Sequence, residues 1–241
     1  MYKLRRLVWK IFYIFRFPIE FMISRARLKS LEVKLRRKEG DTFRLPFEYE
    51  GVGFLKTIRP KQNLQEIRAL YDLVKASNVR FAAEIGTYRG GTFYLWCQAA
   101  RPDAKLIAID LPGDHSWEAM FSWPRLALYR QFAQSNRQQL HFIPGNSHDR
   151  HIVENFRQVL GNDQLDFLFI DGDHSYDGVK QDCEAYKTYV RPGGMIVFHD
   201  ILPRGIANIQ VDRFWEEIKQ TYRHQEFIGE SQAVGIGVLW V

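Results

Sequence analysis

The sequence predicts an α/β fold: one doubly wound sheet, mostly parallel with an antiparallel last strand, behind a basic amphipathic N-terminal helical extension. Three observations carry this. From residue 64 onward, short apolar runs alternate with amphipathic stretches, as strand–helix repeats do. Some runs, such as Phe167-Leu168-Phe169-Ile170, are apolar without alternation, the mark of a strand buried on both faces. The chain has 241 residues, 46% of them hydrophobic, enough for one large core.

The extension comes first. Residues 1–38 hold twelve Lys/Arg and two acids, a charge of +10, which leaves −4 for the remainder of a chain whose net charge is +6. The basic balance belongs to this segment, so no nucleic-acid partner is inferred from it. Leu4, Leu7, Val8, Ile11, Phe12 and Phe15 recur at helical spacing, with Lys3, Arg5, Arg6, Lys10 and Arg16 mostly on the other side. Pro18 is expected to kink or divide the helix. Lys10, Arg16 and Glu20 interrupt the apolar stretch from Leu7 to Ile23, which argues against a membrane-spanning helix, and no signal-peptide pattern is visible. A helix lying on an anionic membrane surface fits best. Packing against its own domain, or against a second copy in a homo-oligomer, is the alternative. The expected location is cytoplasmic, peripheral on the inner face of the membrane. The Gly- and Pro-containing connector from Lys38 to Arg59 sets a boundary between an extension of residues 1–45 and a domain of residues 46–241.

The domain then runs in order. Asn63, with Glu66 three residues on, starts a helix reaching about Ala76. Strands are expected over 80–85, 105–110, 140–143, 165–171 and 195–199. Helices are expected over 91–100, 125–135, 150–160, 178–189 and 211–222. The turn Arg191-Pro192-Gly193-Gly194 introduces the fifth strand. Residues 226–228 and 235–241 form a closing antiparallel pair. Cys97 and Cys183 lie in no CxxC pair and read as buried thiols of a reducing compartment. His115, His141, His151 and His224 form no constellation. His148-Asp149 has no neighbouring partner in sequence that would make it a metal site.

The chemistry gathers at strand ends, where open α/β sheets bind ligands. After the first strand comes Glu84-Ile85-Gly86-Thr87-Tyr88-Arg89-Gly90-Gly91. Its glycines permit a tight turn and close backbone approach, but their spacing is not that of dinucleotide binders. Glu84 is suited to a cationic ammonium, and Asp110, ending the second strand, to ribose hydroxyls. The fourth strand ends in Asp171-Gly172-Asp173-His174 and the fifth in His199-Asp200. Asp173 and Ser175 are also plausible helix caps.

These motifs resemble the class I, Rossmann-like S-adenosylmethionine-dependent methyltransferases over residues 64–241. The resemblance implies that Glu84, Gly86, Thr87, Gly90 and Gly91 serve the amino acid part of S-adenosylmethionine, Asp110 its ribose, and Ser147 and His148 the adenine side. The residues IDGDHSYDGVKQD and VFHD further resemble the metal-dependent O-methyltransferase branch, of catechol type and of sugar and macrolide type. That implies a divalent metal such as Mg²⁺ on Asp171, His199 and Asp200, with Asp171 also beside the cofactor, and His174 as general base. Relatives often have a carboxylate where this chain has His199. The aromatic loop with Trp117, Phe121 and Trp123, and the loop over 203–208, would rim the substrate site. The expected activity is O-methylation of a hydroxyl, in a glycolipid or polysaccharide sugar. Rival readings are a phenol or macrolide O-methyltransferase, and a non-catalytic binding protein recruited through the N-terminal helix.

Overall fold

The computed structural model describes residues 2–111, 122–230 and 234–241, and the side chains of 16–111, 125–230 and 234–241. Seven strands make one sheet in the order β3-β2-β1-β4-β5-β7-β6. They are β1 (Phe81–Ile85), β2 (Lys105–Asp110), β3 (Gln139–Pro144), β4 (Leu165–Ile170), β5 (Val190–His199), β6 (Arg223–Phe227) and β7 (Ile236–Trp240). All pairings are parallel except those of β7, which runs antiparallel to both β5 and β6. The strand order reverses between β1 and β4, so a crevice opens at the carboxyl ends of these two strands.

Eight helices accompany the sheet among the described residues: α1 (Tyr2–Glu39), α2 (Leu45–Glu48), α3 (Leu64–Ala76), α4 (Gly91–Ala99), α5 (Ser122–Tyr129), α6 (Arg150–Leu160), α7 (Tyr176–Tyr186) and α8 (Val211–Ile218). Strand alternation divides the core in two. Ala82, Phe167, Phe169, Met195 and Val197 pack with Leu70, Phe93, Trp96 and Leu128 on one face. Ala83, Ile85, Leu168, Ile170, Ile196 and Phe198 pack with Ile152, Phe156, Val179 and Phe214 on the other.

Several elements differ from the sequence reading, among them the helix expected over 178–189, which is α7, and the strand expected over 226–228, which is β6. Pro18 does not divide α1, which runs unbroken to Glu39. From Phe17 onward one side of α1 is held by packing: Phe17, Leu28 and Leu35 are buried in the same core as the sheet. That support offsets the one backbone hydrogen bond a proline removes. Arg191-Pro192-Gly193-Gly194 lies inside β5, as an irregularity that shifts the pairing with β4 between Leu165 and Phe167. The helix expected over 125–135 is α5, which ends at Tyr129. α8 stops at Ile218 because Arg223 already pairs with Trp240 in β7. Asn63 caps α3 as expected, its Oδ1 accepting from Gln65 N at 2.8 Å. Glu66 does not complete a capping box; it accepts from Gly229 N and Gly235 N and ties α3 to the β6–β7 loop. The aromatic loop residues Trp117 and Phe121, and the side chain of Trp123, lie outside the described residues.

Candidate active site

Backbone hydrogen bonds continue past the strand ends and fix the floor of the crevice. Gly86 N donates to Ile109 O, Asp171 N to Ile85 O and Gly145 N to Asp110 O, each at 2.9 Å. Gly86 takes φ 87°, and a Cβ there would stand 2.1 Å from the Asp171 carbonyl oxygen, so only glycine fits between β1 and β4. Above this floor is a cavity of about 930 Å³. That is near the upper end for small-molecule sites and leaves room for more than one ligand. Gly86, Thr87, Gly91, Asp110, Ser147, His148, Asp171, His174, His199 and Asp200 all line it.

Two residues read from the sequence as cofactor contacts do not line it. Glu84 alternates onto the α4 side of β1, between Ala108 and Phe169 of the neighbouring strands. It is fully buried, with Oε1 accepting from Trp96 Nε1 at 3.0 Å. Burial pushes its carboxyl up to about 8, against the Trp96 hydrogen bond and the neighbouring Thr92 and Thr87 hydroxyls, which pull it down. Its carboxyl thus lies outside the cavity lining, which the glycine loop supplies at this end. Gly90, at φ 83°, is the turn before α4, and a Cβ there would strike the Tyr129 ring at 2.4 Å. Its role is packing. Asp110 does line the cavity; burial raises its carboxyl to about 6, opposed by backbone hydrogen bonds from Tyr88 and Leu111.

The polar cluster sits where β4 and β5 end. His174 Nδ1 lies 2.8 Å from Asp200 Oδ2, and His174 Nε2 lies 3.8 Å from Asp171 Oδ1. His199 Nδ1 is 3.1 Å from Asp171 Oδ1 and 3.6 Å from Asp200 Oδ2. Arg204 donates to Asp200 Oδ1 at 3.1 Å, and Gln62 Nε2 donates to Asp171 Oδ2 at 2.6 Å. Two carboxylates thus alternate with two imidazoles. Asp200 holds φ 61°, a left-handed conformation costing on the order of 1–3 kcal/mol for a residue with a Cβ. The hydrogen bond that Asp200 accepts raises the His174 pKa above its ordinary value, against burial. For His199, burial lowers the pKa, and the Asp171 charge outweighs it to give a net rise. For Asp200, burial raises it, and the His174 hydrogen bond with the nearby imidazoles brings the carboxyl below its usual range.

Ligand atoms of Asp171, His174 and Asp200 all lie within 4.8 Å of one another, a spacing that a divalent cation can bridge. The trio includes His174 where the sequence reading had His199. His199 is 5% exposed and its Nε2 has no hydrogen-bond partner. An imidazole beside two carboxylates fits Mn²⁺, Fe²⁺ or Zn²⁺ better than Mg²⁺, which favours oxygen alone.

The helix-cap alternative is also resolved. Ser175 caps α7 by accepting from Gly178 N, and Asp173 Oδ1 accepts from Ser175 N. His174 lies between these capping residues, so the same turn that starts α7 aims an imidazole at Asp200. Gln62 is a site residue the sequence did not reveal. It precedes the α3 cap with no local signal, and only the fold brings it across 109 positions to Asp171.

Residues 83–201 match the model of a methyltransferase-domain family. Among curated proteins, the uncharacterized protein y4gI of Sinorhizobium fredii is 26% identical over 151 residues, covering 61% of this chain and 16% of its own length. The uncharacterized protein R132 of Acanthamoeba polyphaga mimivirus is 32% identical over 124 residues, covering 48% of this chain and 49% of its own. The chain spans at most about half the length of these relatives. Among solved structures, the O-methyltransferase TomG of Streptomyces achromogenes, involved in tomaymycin synthesis and in complex with SAM, has a TM-score of 0.56 at 19% identity, covering 88% of this chain and 96% of that one. An O-methyltransferase of Bacillus cereus in complex with SAH has a TM-score of 0.53 at 16% identity, covering 90% and 91%. Fold and match agree: residues 83–201 match a methyltransferase-domain family, and the chain has the Rossmann-like fold of class I methyltransferases, seen in the solved O-methyltransferases.

Proposed function

We propose that this domain transfers a methyl group from S-adenosylmethionine to a hydroxyl oxygen. The observation that carries the reading is the convergence of Asp171, His174 and Asp200 in the same cavity as the glycine loop and Asp110. The glycine loop receives the amino acid part of the cofactor, Asp110 accepts from the ribose hydroxyls, and Ser147 and His148 flank the adenine. Methyl transfer is a direct displacement. The acceptor oxygen bonds the methyl carbon, the carbon–sulfur bond breaks, and the sulfonium leaves as a neutral thioether. His174 takes the hydroxyl proton, and Asp200 holds that imidazole in place. A divalent cation held by Asp171, His199 and Asp200 would acidify the hydroxyl and leave His174 Nε2 free to take the proton.

The favoured acceptor is a sugar hydroxyl in a glycolipid or polysaccharide intermediate, with α1 resting on an anionic membrane surface. Support comes from α1 itself. Phe17, Ser24, Leu28 and Leu35 are buried, while Ile19, Met22 and Ile23 form an exposed apolar stripe flanked by exposed Arg16, Arg25 and Arg27. No helix among the described residues is long and apolar enough to cross a membrane. The likeness to an O-methyltransferase involved in tomaymycin synthesis favours a second reading, in which the acceptor is a small molecule, a phenol or macrolide. Incubation with methyl-labelled cofactor and glycolipid, oligosaccharide or phenol mixtures, with and without chelator, tests both. Label in none of them, together with no cofactor binding, contradicts the proposal.

A further inference from the structure

We propose that the acceptor of this methyl transfer is anionic, carrying a phosphate or diphosphate group that Arg59 and Lys61 bind at the cavity mouth. The inference rests on the methyltransferase reading and names the substrate class of the same site.

The cavity is lined by both signs of charge, and the acids are accounted for. Asp110 faces the ribose position, Asp173 accepts from Ser175 N, and Asp171 and Asp200 belong to the imidazole cluster. Among the lining cations, Arg204 is bonded to Asp200. Arg59 and Lys61 are exposed and have no carboxylate partner among the described residues. Arg89 joins them, its guanidinium over the Tyr88 ring at 5.0 Å and likewise without a carboxylate. Solitary surface cations are commonplace. Unmatched cations sharing one concave wall focus the field inside it and draw anions to that place.

The placement of Arg59 and Lys61 is fixed by packing on both sides. Pro60, between them, lies so close to the start of α4 that a Cβ on Gly91 would meet its Cδ at 2.7 Å. Gln62, next in sequence, donates to Asp171 at 2.6 Å. The segment Arg59–Gln62 therefore runs from the mouth to the reacting end of the cavity. Three residues span at most roughly 10 Å of backbone, so Arg59 and Lys61 stand in the same part of the cavity as the Gln62–Asp171 contact. A hydroxyl-bearing sugar joined to a phosphate matches that placement. The cofactor supplies one competing anion, its own carboxylate, and the experiment separates the two.

The test uses the full chain saturated with S-adenosylhomocysteine and measures binding of a hexose 1-phosphate and of the free hexose by calorimetry at constant ionic strength. The expected result is a preference for the phosphate of roughly tenfold or more, lost in Arg59→Gln/Lys61→Gln, since the charge-assisted hydrogen bonds to the phosphate are then gone. S-adenosylhomocysteine affinity of the variant stays within about twofold, because cofactor contacts lie elsewhere; a factor of two is well under 1 kcal/mol. Equal binding of the two sugars overturns the inference. So does loss of cofactor affinity in the variant, which would assign the pair to the cofactor carboxylate. Failure of the wild-type chain to bind S-adenosylhomocysteine counts instead against the methyltransferase reading. A soluble nucleoside diphosphate-sugar and a polyprenyl diphosphate-sugar in neutral vesicles form two further arms. They separate the sources of the phosphate, and tighter binding of either over its phosphate-free counterpart supports the inference.

Discussion

His174 Nδ1 and Asp200 Oδ2 stand 2.8 Å apart, joining the turn after β4 to the residue after β5. Asp200 makes this contact from a left-handed backbone conformation, and Arg204 occupies its other oxygen. The imidazole is thereby oriented by a carboxylate that is itself oriented. His174→Asn keeps an N–H donor near the Nδ1 position for Asp200 and removes the proton acceptor. It should lower kcat by roughly 10²–10⁴-fold with cofactor affinity unchanged. Turnover near wild type, measured with the same acceptor, would remove His174 from the chemistry.

Asp171 and Asp200 make a cation-binding reading testable by metal removal. Dialysis against chelator should abolish transfer, and Mn²⁺ should restore it more fully than Mg²⁺, because an imidazole is in the donor set. Asp171→Asn should raise the cation concentration needed. Full activity in chelator would count against any metal role.

Asp110 titrates in an accessible range. Burial holds its carboxyl up at about 6, so it is ionised above that pH and neutral below it. The ionised form is the stronger acceptor for ribose hydroxyls. Cofactor affinity should therefore fall as pH drops through about 6, and Asp110→Asn should bind more weakly with no such step. Titration calorimetry at several pH values reads this; a flat wild-type profile would contradict it.

Glu84 predicts a stability trend of the opposite cause. Its folded pKa, about 8, lies above the ordinary glutamate value of 4.5, so the folded state binds the proton more tightly. Stability is then greatest below the lower value and declines until pH passes the upper one, by up to about 1.4 kcal/mol per unit. Glu84→Gln keeps a partner for Trp96 and removes the titration. Its melting temperature should gain on wild type between pH 5 and 8, in a range set by those two values. Parallel curves for the two proteins would show that Glu84 is already ionised when folded.

The exposed stripe of α1 allows substitution without touching the core. Ile19 and Met22 are 62% and 69% exposed. Ile19→Asp/Met22→Asp should leave the melting temperature nearly unchanged and reduce flotation with anionic liposomes. Equal flotation of variant and wild type would mean that this face meets protein or nothing.

Much of this architecture is legible in the sequence, for identifiable reasons. Uninterrupted apolar runs marked β2 and β4, and Asn63 and Ser175 marked helix starts, because caps and buried strands depend on local residues. The acids at strand ends were equally plain, since a parallel sheet puts them on one rim. What was hidden depends on side-chain direction and on distant partners. Glu84 belongs to a recognisable motif, yet strand alternation turns it to Trp96 and away from the cavity. Gln62 reaches Asp171 only through the fold. Glu66 looked like a capping residue until the β6–β7 loop supplied Gly229 and Gly235 as donors. Pro18 carried a strong local signal that packing of α1 overrode.

The central claim is that the methyl group ends on oxygen at the Asp171–His174–Asp200 cluster. The most direct measurement follows methyl-¹³C-labelled S-adenosylmethionine by NMR in the presence of hydroxyl-bearing acceptors, for wild type and His174→Asn. The account predicts a new O-methyl resonance that grows with wild type and is nearly absent with the variant. Label appearing on nitrogen or carbon, or an O-methyl resonance growing equally in both, would contradict it.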